Sequence, residues 1–218
     1  MIEHLTIPKL IESAKAFSEF ISQKSHPELF GISDGKAIGT YIEHSFKNYL
    51  QDRYEVKLGN SADGIDIPDE NIVTDIKATS IKQPQSSCPF RNAEQKIFGL
   101  GYNLIIFVYE KTDTIAESRI DIKFCTFVRK DRTADFTITK RIREMLQDGA
   151  NKEDIIAYLI DRNIPGDEII YDNLADKILK TTPNQGYLTI SNALQWRLQY
   201  KRAASLSNTI ESIVNYEW

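Results

Sequence analysis

The sequence is poor in the residues that build zinc sites, disulfide frameworks and membrane spans. It has two cysteines, Cys88 and Cys125, and three scattered histidines among 218 residues, without the spacing of a metal site or a disulfide-rich fold. No apolar run is long enough to cross a bilayer, and the first residues lack the basic start and apolar core of a signal peptide. These absences predict a cytoplasmic protein with no membrane partner.

The chain also lacks the strong positive charge of a general nucleic-acid coat protein. Its 27 basic and 31 acidic side chains give a formal net charge of −4, whereas such proteins are normally basic. Positive charge is local instead. Six basic and two acidic side chains lie within residues 129–143, and Arg197, Lys201 and Arg202 form a second patch. This distribution still suits an enzyme that meets phosphates over a limited surface.

The most informative stretch is residues 59–80, GNSADGIDIPDENIVTDIKATS. Its second half alternates as a β-strand does, so that Asp75 and Lys77 project from the same face. Upstream, Asp66 stands in the short apolar run GIDIP, and the intervening PDEN has the composition of a turn. We expect a β-hairpin that brings Asp66 back toward Asp75 and Lys77.

This grouping of two acids and a lysine has a chemical use. Two neighbouring carboxylates repel each other, and a bound divalent cation offsets that repulsion directly. Oxygen ligands without histidine or cysteine favour Mg²⁺, for which Mn²⁺ can substitute. Such a metal polarises a phosphoryl oxygen and lowers the pKa of a bound water, and a lysine can offset the charge that grows on the phosphate. The grouping is therefore suited to chemistry at a phosphate.

At this point the chain resembles the PD-(D/E)xK nuclease superfamily, and most closely its type II restriction endonucleases. The resemblance rests on Asp66, Asp75, Ile76 and Lys77, with Glu43 upstream, and covers roughly residues 39–110. It departs from the usual pattern in that no proline directly precedes Asp66. It implies an α/β fold with a mixed central β-sheet flanked by helices. It also implies Mg²⁺-dependent hydrolysis of phosphodiester bonds in double-stranded DNA, which leaves 5′-phosphate and 3′-hydroxyl ends.

The resemblance also assigns roles to these residues. The metal ligands would be Asp66, Asp75 and the main-chain carbonyl of Ile76. Lys77 would position the attacking water, and Glu43 would assist as a second-sphere group or as a further ligand. Glu43 lies at the edge of the apolar stripe of a predicted helix, where a solvated carboxylate is the alternative interpretation.

The polar stretch after Lys77 and the two basic patches predict contacts with DNA. Loops held by a rigid scaffold often carry function, and amides suit adenine whereas arginine suits guanine or phosphate. An ordinary polar surface is the alternative. The residues selected in this way are Lys82, Gln83, Gln85, Ser86, Ser87, Arg91, Asn92, Arg141, Arg143, Arg197, Lys201 and Arg202.

We expect the chain to divide near residue 132. Residues 1–132 would form the endonuclease core, and residues 133–218 a mostly helical lobe for DNA binding or dimerisation. The pattern of apolar residues predicts helices in that lobe over residues 138–147, 152–162, 167–179, 188–202 and 205–216. A two-fold symmetric homodimer would match a palindromic DNA site, and a companion DNA methyltransferase would act on the same site.

Two other functions remain open from the sequence alone. One is a repair or junction nuclease of the same superfamily, which would prefer branched or damaged DNA. The other is a non-catalytic DNA-binding protein with a nuclease-like core. A second acid-x-lysine motif, Asp121-Ile122-Lys123, has no partner hairpin with another acid, and it predicts only a strand with a polar outer face.

Overall fold

The computed structural model of the chain describes residues 3–59, 64–88, 92–115, 117–191, 196–206 and 210–218. Two compact units are present. The first comprises Met1–Gln85, Tyr102–Arg129 and Ala203–Trp218, and the second comprises Ser86–Gly101 and Lys130–Arg202. Within the described ranges, no helix has both the length and the apolar character needed to cross a membrane.

The helices and strands are numbered in chain order. The helices are α1 (Ile7–Ser22), α2 (Gly35–Gln51), α3 (Gln95–Phe98), α4 (Phe136–Gln147), α5 (Lys152–Asp161), α6 (Glu168–Lys180) and α7 (Lys201–Ala204). The strands are β1 (Glu3–His4), β2 (Tyr54–Glu55), β3 (Thr74–Ser80), β4 (Gln85–Cys88), β5 (Asn103–Asp113), β6 (Ser118–Val128), β7 (Thr189–Ile190), β8 (Trp196–Gln199) and β9 (Ile213–Glu217). Short 3₁₀ turns cover Pro27–Leu29 and Lys130–Arg132.

The first unit is built on a mixed four-stranded sheet in the order β3-β5-β6-β9. Strands β3 and β5 are parallel, whereas β5–β6 and β6–β9 are antiparallel. The apolar run of β5 is fully buried, as expected for a central strand covered on both faces. The predicted mixed sheet is therefore confirmed, and β3 forms one of its edges.

Helices α1 and α2 cover one face of this sheet with aromatic and aliphatic side chains. The ring centroids of Phe17 and Phe46 lie 5.1 Å apart, and both rings contact Phe107 of β5, at 5.4 and 5.0 Å. Aromatic groups at these separations favour tilted or edge-to-face packing, which is the arrangement observed. The contact holds α2 against the sheet whose strand β3 carries Asp75 and Lys77.

Gly39 allows α2 to approach β3 closely. A Cβ atom built on Gly39 would lie 3.0 Å from the carbonyl oxygen of Ala78 in β3. Four residues later on the same helix face, Glu43 therefore reaches the backbone of β3.

The second unit contains the three helices α4, α5 and α6 and a small sheet in the order β4-β8-β7. The three helices were predicted. Asp135, Asn151 and Asp167 cap them, since each side chain accepts a hydrogen bond from a main-chain N–H in the first turn. Residues of α4, α5 and α6 then share one apolar core.

The helix predicted over residues 188–202 is wrong, because the chain there forms β7 and β8 before the short α7. Trp196, Leu198 and Tyr200 are buried while Arg197 and Gln199 are exposed, which is the two-residue period of a strand. The four-residue spacing of Trp196 and Tyr200 fits one face of a helix and one face of a strand equally well.

The helix predicted over residues 205–216 is also wrong. Residues Ile213–Glu217 form β9 and pair with β6. Asn215 stabilises this strand, because its side-chain oxygen accepts a 2.7 Å hydrogen bond from the Thr126 hydroxyl and its amide donates to the carbonyl of Ala204.

The two units also differ from the expected division at residue 132. Residues 86–101 group with the second unit, where β4 joins β8, and residues 203–218 return to the first unit through β9. Both departures arise from strand pairing between segments that are distant in the sequence.

Replacing Gly39 by valine should destabilise the first unit. The new side chain would press against the Ala78 carbonyl, and overpacking of this kind lowers the free energy of unfolding by about 1–3 kcal/mol. The measurement is urea unfolding followed by circular dichroism. The control is Ala37→Val, at an exposed position of the same helix, where only the weak helix propensity of valine acts, at about 0.5 kcal/mol. Equal effects of the two substitutions would contradict a close approach at Gly39.

Candidate active site

The site begins with the predicted hairpin. The main-chain groups of Ile67 and Thr74 exchange two hydrogen bonds, of 2.9 and 3.0 Å. In the turn between them, a side-chain oxygen of Asp69 accepts a 2.9 Å bond from the N–H of Asn71. Asp66 and Asp75 flank the paired residues, so the hairpin brings the two acids together.

Asp66 is fixed from two sides. Its Oδ2 accepts a 2.7 Å hydrogen bond from the main-chain N–H of Ile76. Its Oδ1 forms an ion pair with Nζ of Lys47, on α2. Both side chains are more than four-fifths buried, at 17% and 18% exposed. The Asp66 carboxylate therefore has a defined orientation beside β3.

Asp75 and Lys77 lie next to each other on one face of β3, as the alternation predicts. Nζ of Lys77 is 2.7 Å from Oδ2 of Asp75. Asp75 is almost completely buried, and it also hydrogen-bonds with Asp66. The structure thus brings together the three residues that the hairpin was expected to join.

Glu43 reaches the same strand from α2. Its Oε1 accepts a 3.0 Å hydrogen bond from the main-chain N–H of Ala78. The N–H groups of Thr74, Ile76 and Ala78 all point away from β5, because β3 is an edge strand and alternate residues face outward. The carbonyl of Ile76 points to this same outer edge, since the N–H and C=O of one strand residue lie on the same side.

The protonation of the cluster follows from burial and from these contacts. Burial raises the pKa of Asp75 to about 7, and although the Lys77 ammonium opposes that rise, the neighbouring Asp66 adds to it. Burial would also raise the pKa of Asp66, but hydrogen bonds from Asp75, Lys47 and the Ile76 N–H hold it below its usual value. Two carboxylates in contact cannot both ionise freely, so the ionised Asp66 disfavours ionisation of Asp75.

Burial and neighbouring groups affect the pKa values of Lys77 and Glu43 in different ways. Burial alone would lower the pKa of Lys77, but Asp75 outweighs it and raises that pKa, which keeps the ammonium charged. Burial raises the pKa of Glu43, against the opposing effects of the Ala78 N–H and of Lys77.

The donor set fits a hard divalent cation. A cation can offset the repulsion between the two neighbouring carboxylates, and the candidate ligand atoms are carboxylate and carbonyl oxygens. Among the described residues, no three His, Cys, Asp or Glu side chains lie close enough to form a metal site by themselves. Magnesium is usually held by one or two carboxylates with water and substrate phosphate completing its shell, so Asp66, Asp75 and the outward carbonyl of Ile76 would be its protein ligands.

Lys47 is the residue of this cluster that the sequence reasoning missed. It follows Glu43 by one helical turn, and residues spaced by four lie on the same face of a helix. That spacing was the available signal. It could not show how deeply α2 enters the site, which depends on the contact at Gly39.

The predicted DNA contacts in the first unit, Lys82, Gln83 and Gln85, lie in the turn after β3 and at the start of β4. Lys82 and Gln83 lie exposed in the turn after β3. Gln85 is held by its main chain, which exchanges hydrogen bonds with the Thr79 hydroxyl. Lys82 and Gln83 are therefore the more accessible pair.

Several of the predicted contacts in the second unit are engaged within the protein. The Ser86 hydroxyl bonds with that of Tyr200, the Asn92 side chain accepts from the N–H of Gln95, and Arg143 donates to the carbonyl of Pro183 at 2.9 Å. The Arg202 guanidinium lies 3.8 Å from the centre of the Phe136 ring, and Arg141 pairs with Glu144 at 3.6 Å.

The other predicted contacts of that unit lie at the surface. Ser87, Arg197 and Lys201 are exposed. Arg197 and Gln199 share the outer face of β8, in a segment for which the sequence predicts a helix. Arg91 lies outside the described residues.

Comparison with known proteins identifies relatives of the chain. A family model described as type II restriction enzyme NspV matches residues 4–215. The type II restriction enzyme NspV of Nostoc sp. (strain ATCC 29411 / PCC 7524) is 51% identical over 212 residues, which cover 96% of each chain. Among solved structures, tetrameric restriction endonuclease SfiI bound to cognate DNA aligns at 10% identity with a TM-score of 0.46, over 96% of this chain and 80% of that one.

With a TM-score of 0.46, the SfiI structure adds nothing to the assignment of the chain to a family, which rests on the two sequence matches. Both sequence matches run through the hairpin, α2 and β3, and so through every residue of the cluster. The chain belongs to the NspV family of type II restriction enzymes.

Proposed function

We propose that this type II restriction enzyme, a site-specific deoxyribonuclease, cleaves double-stranded DNA at the cluster of Asp66, Asp75 and Lys77. Mg²⁺ would be the cofactor, and Mn²⁺ would substitute for it. One observation carries the proposal. The carboxylate of Asp66, in the hairpin, contacts that of the buried Asp75 on the edge strand β3, and Nζ of a charged lysine lies 2.7 Å from Asp75.

Asp66, Asp75 and the carbonyl of Ile76 would hold the metal. When bound, a divalent cation lowers the pKa of a bound water and polarises a phosphoryl oxygen. The protein fixes the geometry in advance, because the Ile76 N–H orients Asp66 and the strand orients Asp75. Preorganised charges of this kind stabilise a transition state without any further rearrangement.

Lys77 would orient the attacking water and offset the charge that develops on the phosphate. It is suited to both tasks because Asp75 keeps it charged and positioned. Glu43 contacts the backbone rather than the other acids, so we assign it to positioning β3 and the water, outside the metal ligands.

The enzyme would act as a homodimer, since a two-fold symmetric pair of sites suits a palindromic DNA sequence. Cleavage would leave 5′-phosphate and 3′-hydroxyl ends. A companion DNA methyltransferase would modify the same sequence and so protect it. The enzyme would act in the cytoplasm, where it would meet double-stranded DNA.

Base recognition would come from exposed polar side chains on β8 of the second unit and in the turn after β3 of the first unit. In the second unit Arg197 and Gln199 project from one face of β8, about 7 Å apart for residues two positions apart on a strand. Arginine suits guanine and glutamine suits adenine in the major groove. Lys82 and Gln83 offer a phosphate and a base contact in the first unit.

The first test is digestion of a sequenced phage DNA by the purified protein, with Mg²⁺ and with EDTA. We expect discrete fragments with Mg²⁺ and none with EDTA, because the metal completes the site.

Asp75→Asn should lower the cleavage rate by about 100-fold or more while DNA binding persists. Wild-type cleavage by Asp75→Asn would remove Asp75 from the site, and cleavage only of branched DNA would favour a repair nuclease.

Replacing Lys77 by methionine should lower the single-turnover cleavage rate by roughly 100-fold, because a neutral side chain cannot offset charge on the phosphate. The matched control is Lys123→Met, in the second acid-x-lysine motif on β6, where Lys123 lies 3.7 Å from Glu110. That variant should cut at the wild-type rate. A large loss in both variants, or in neither, would contradict the role of Lys77.

Arg197→Ala should reduce discrimination between cognate and non-cognate DNA by about 1–3 kcal/mol, as expected for loss of one base contact. Competition binding in Ca²⁺ measures this difference without cleavage. The control is Arg162→Ala, which removes an exposed arginine beside the Tyr158 ring and should leave discrimination unchanged. If Arg197→Ala weakened binding to all sequences equally, Arg197 would contact phosphate instead.

A further inference from the structure

The ion pair between Lys47 and Asp66 lies at the place where the metal would bind. Nζ of Lys47 contacts Oδ1 of Asp66, and more than four-fifths of each side chain is buried. The other oxygen, Oδ2, is already held by the N–H of Ile76 at 2.7 Å. Lys47 therefore occupies the oxygen of Asp66 that the main chain leaves open.

The rest of the site explains why a positive charge is needed there. Asp66 and Asp75 are in contact, Lys77 is paired with Asp75, and Glu43 lies on the neighbouring turn of α2. Buried acids in this number are costly without compensating cations. The Lys77 ammonium compensates the charge of Asp75, and the Lys47 ammonium compensates that of Asp66.

We propose that Lys47 is an internal counter-cation that stabilises the metal-free enzyme and that a divalent cation must displace from Asp66. The inference rests on the proposed metal site at Asp66 and Asp75. Lys47 is thus a positioning residue, which acts through Asp66. It sets how tightly the site binds metal before DNA arrives.

Displacement requires little of the protein. Lysine has a flexible four-carbon stem, and α2 can stay in place while the ammonium group moves away. The orientation of Asp66 does not depend on Lys47 alone, because the Ile76 N–H holds Oδ2 throughout. Removing the lysine charge should therefore remove a competitor for the carboxylate without releasing the carboxylate itself.

The test is calorimetric titration of the full chain with Ca²⁺, a hard divalent cation that prefers oxygen ligands, in the absence of DNA. Lys47→Met and Lys47→Gln should each bind Ca²⁺ roughly tenfold more tightly than the wild type, because a unit charge a few ångströms away no longer opposes binding. Lys47→Arg keeps the charge, and Lys36→Met removes an exposed charge from the same helix. Both controls should bind as the wild type does.

Thermal unfolding separates this role from simple packing. In EDTA the two neutral Lys47 variants should melt several degrees below the wild type, because Asp66 has lost its counter-charge. Saturating Ca²⁺ should bring them back to the melting temperature of the Ca²⁺-bound wild type. A deficit that Ca²⁺ leaves unchanged would mean that Lys47 only packs, and would overturn the inference.

The wild type and Asp75→Asn distinguish failure of this inference from failure of the metal site. If Asp75→Asn abolishes Ca²⁺ binding while the neutral Lys47 variants bind as weakly as the wild type or more weakly, the metal site stands and the inference is wrong. If Asp75→Asn binds Ca²⁺ as the wild type does, the metal site itself is wrong and the inference falls with it.

Discussion

The structure of the site depends on β3 being an edge strand. An edge strand leaves alternate main-chain N–H and C=O groups without a partner strand, and buried groups of this kind must find other partners. Here two carboxylates meet that requirement, since Asp66 accepts from Ile76 and Glu43 from Ala78. The same hydrogen bonds that complete the backbone also bring acidic side chains to one edge of the sheet.

Bringing acids together creates a second requirement, which is positive charge. Lys77 meets it from the strand and Lys47 from α2. Burial raises the pKa of Asp75 to about 7, which lowers the negative charge that remains. A divalent cation would replace the proton on Asp75 and displace Lys47 from Asp66, while Lys77 stays paired with Asp75.

The sequence predicted the hairpin and the grouping of Asp66, Asp75 and Lys77, because turn composition and two-residue alternation are local properties. Lys47 was missed, since its contact depends on how closely α2 approaches β3 at Gly39. The predictions of helices at β8 and β9 are wrong because residues spaced by four, such as Trp196 and Tyr200, share a face in a helix and in a strand alike, and because the strand that pairs with β9 lies far away in the sequence. The sequence could not supply these tertiary pairings.

Anomalous diffraction from crystals soaked in Mn²⁺ tests the central claim most directly. The account predicts one strong manganese peak within coordinating distance of both Asp66 and Asp75, close to the carbonyl of Ile76. That peak should be absent from crystals of Asp75→Asn. A peak bound instead at Asp121 and Glu110 on the neighbouring strands, with none at the hairpin, would contradict the assignment of the site.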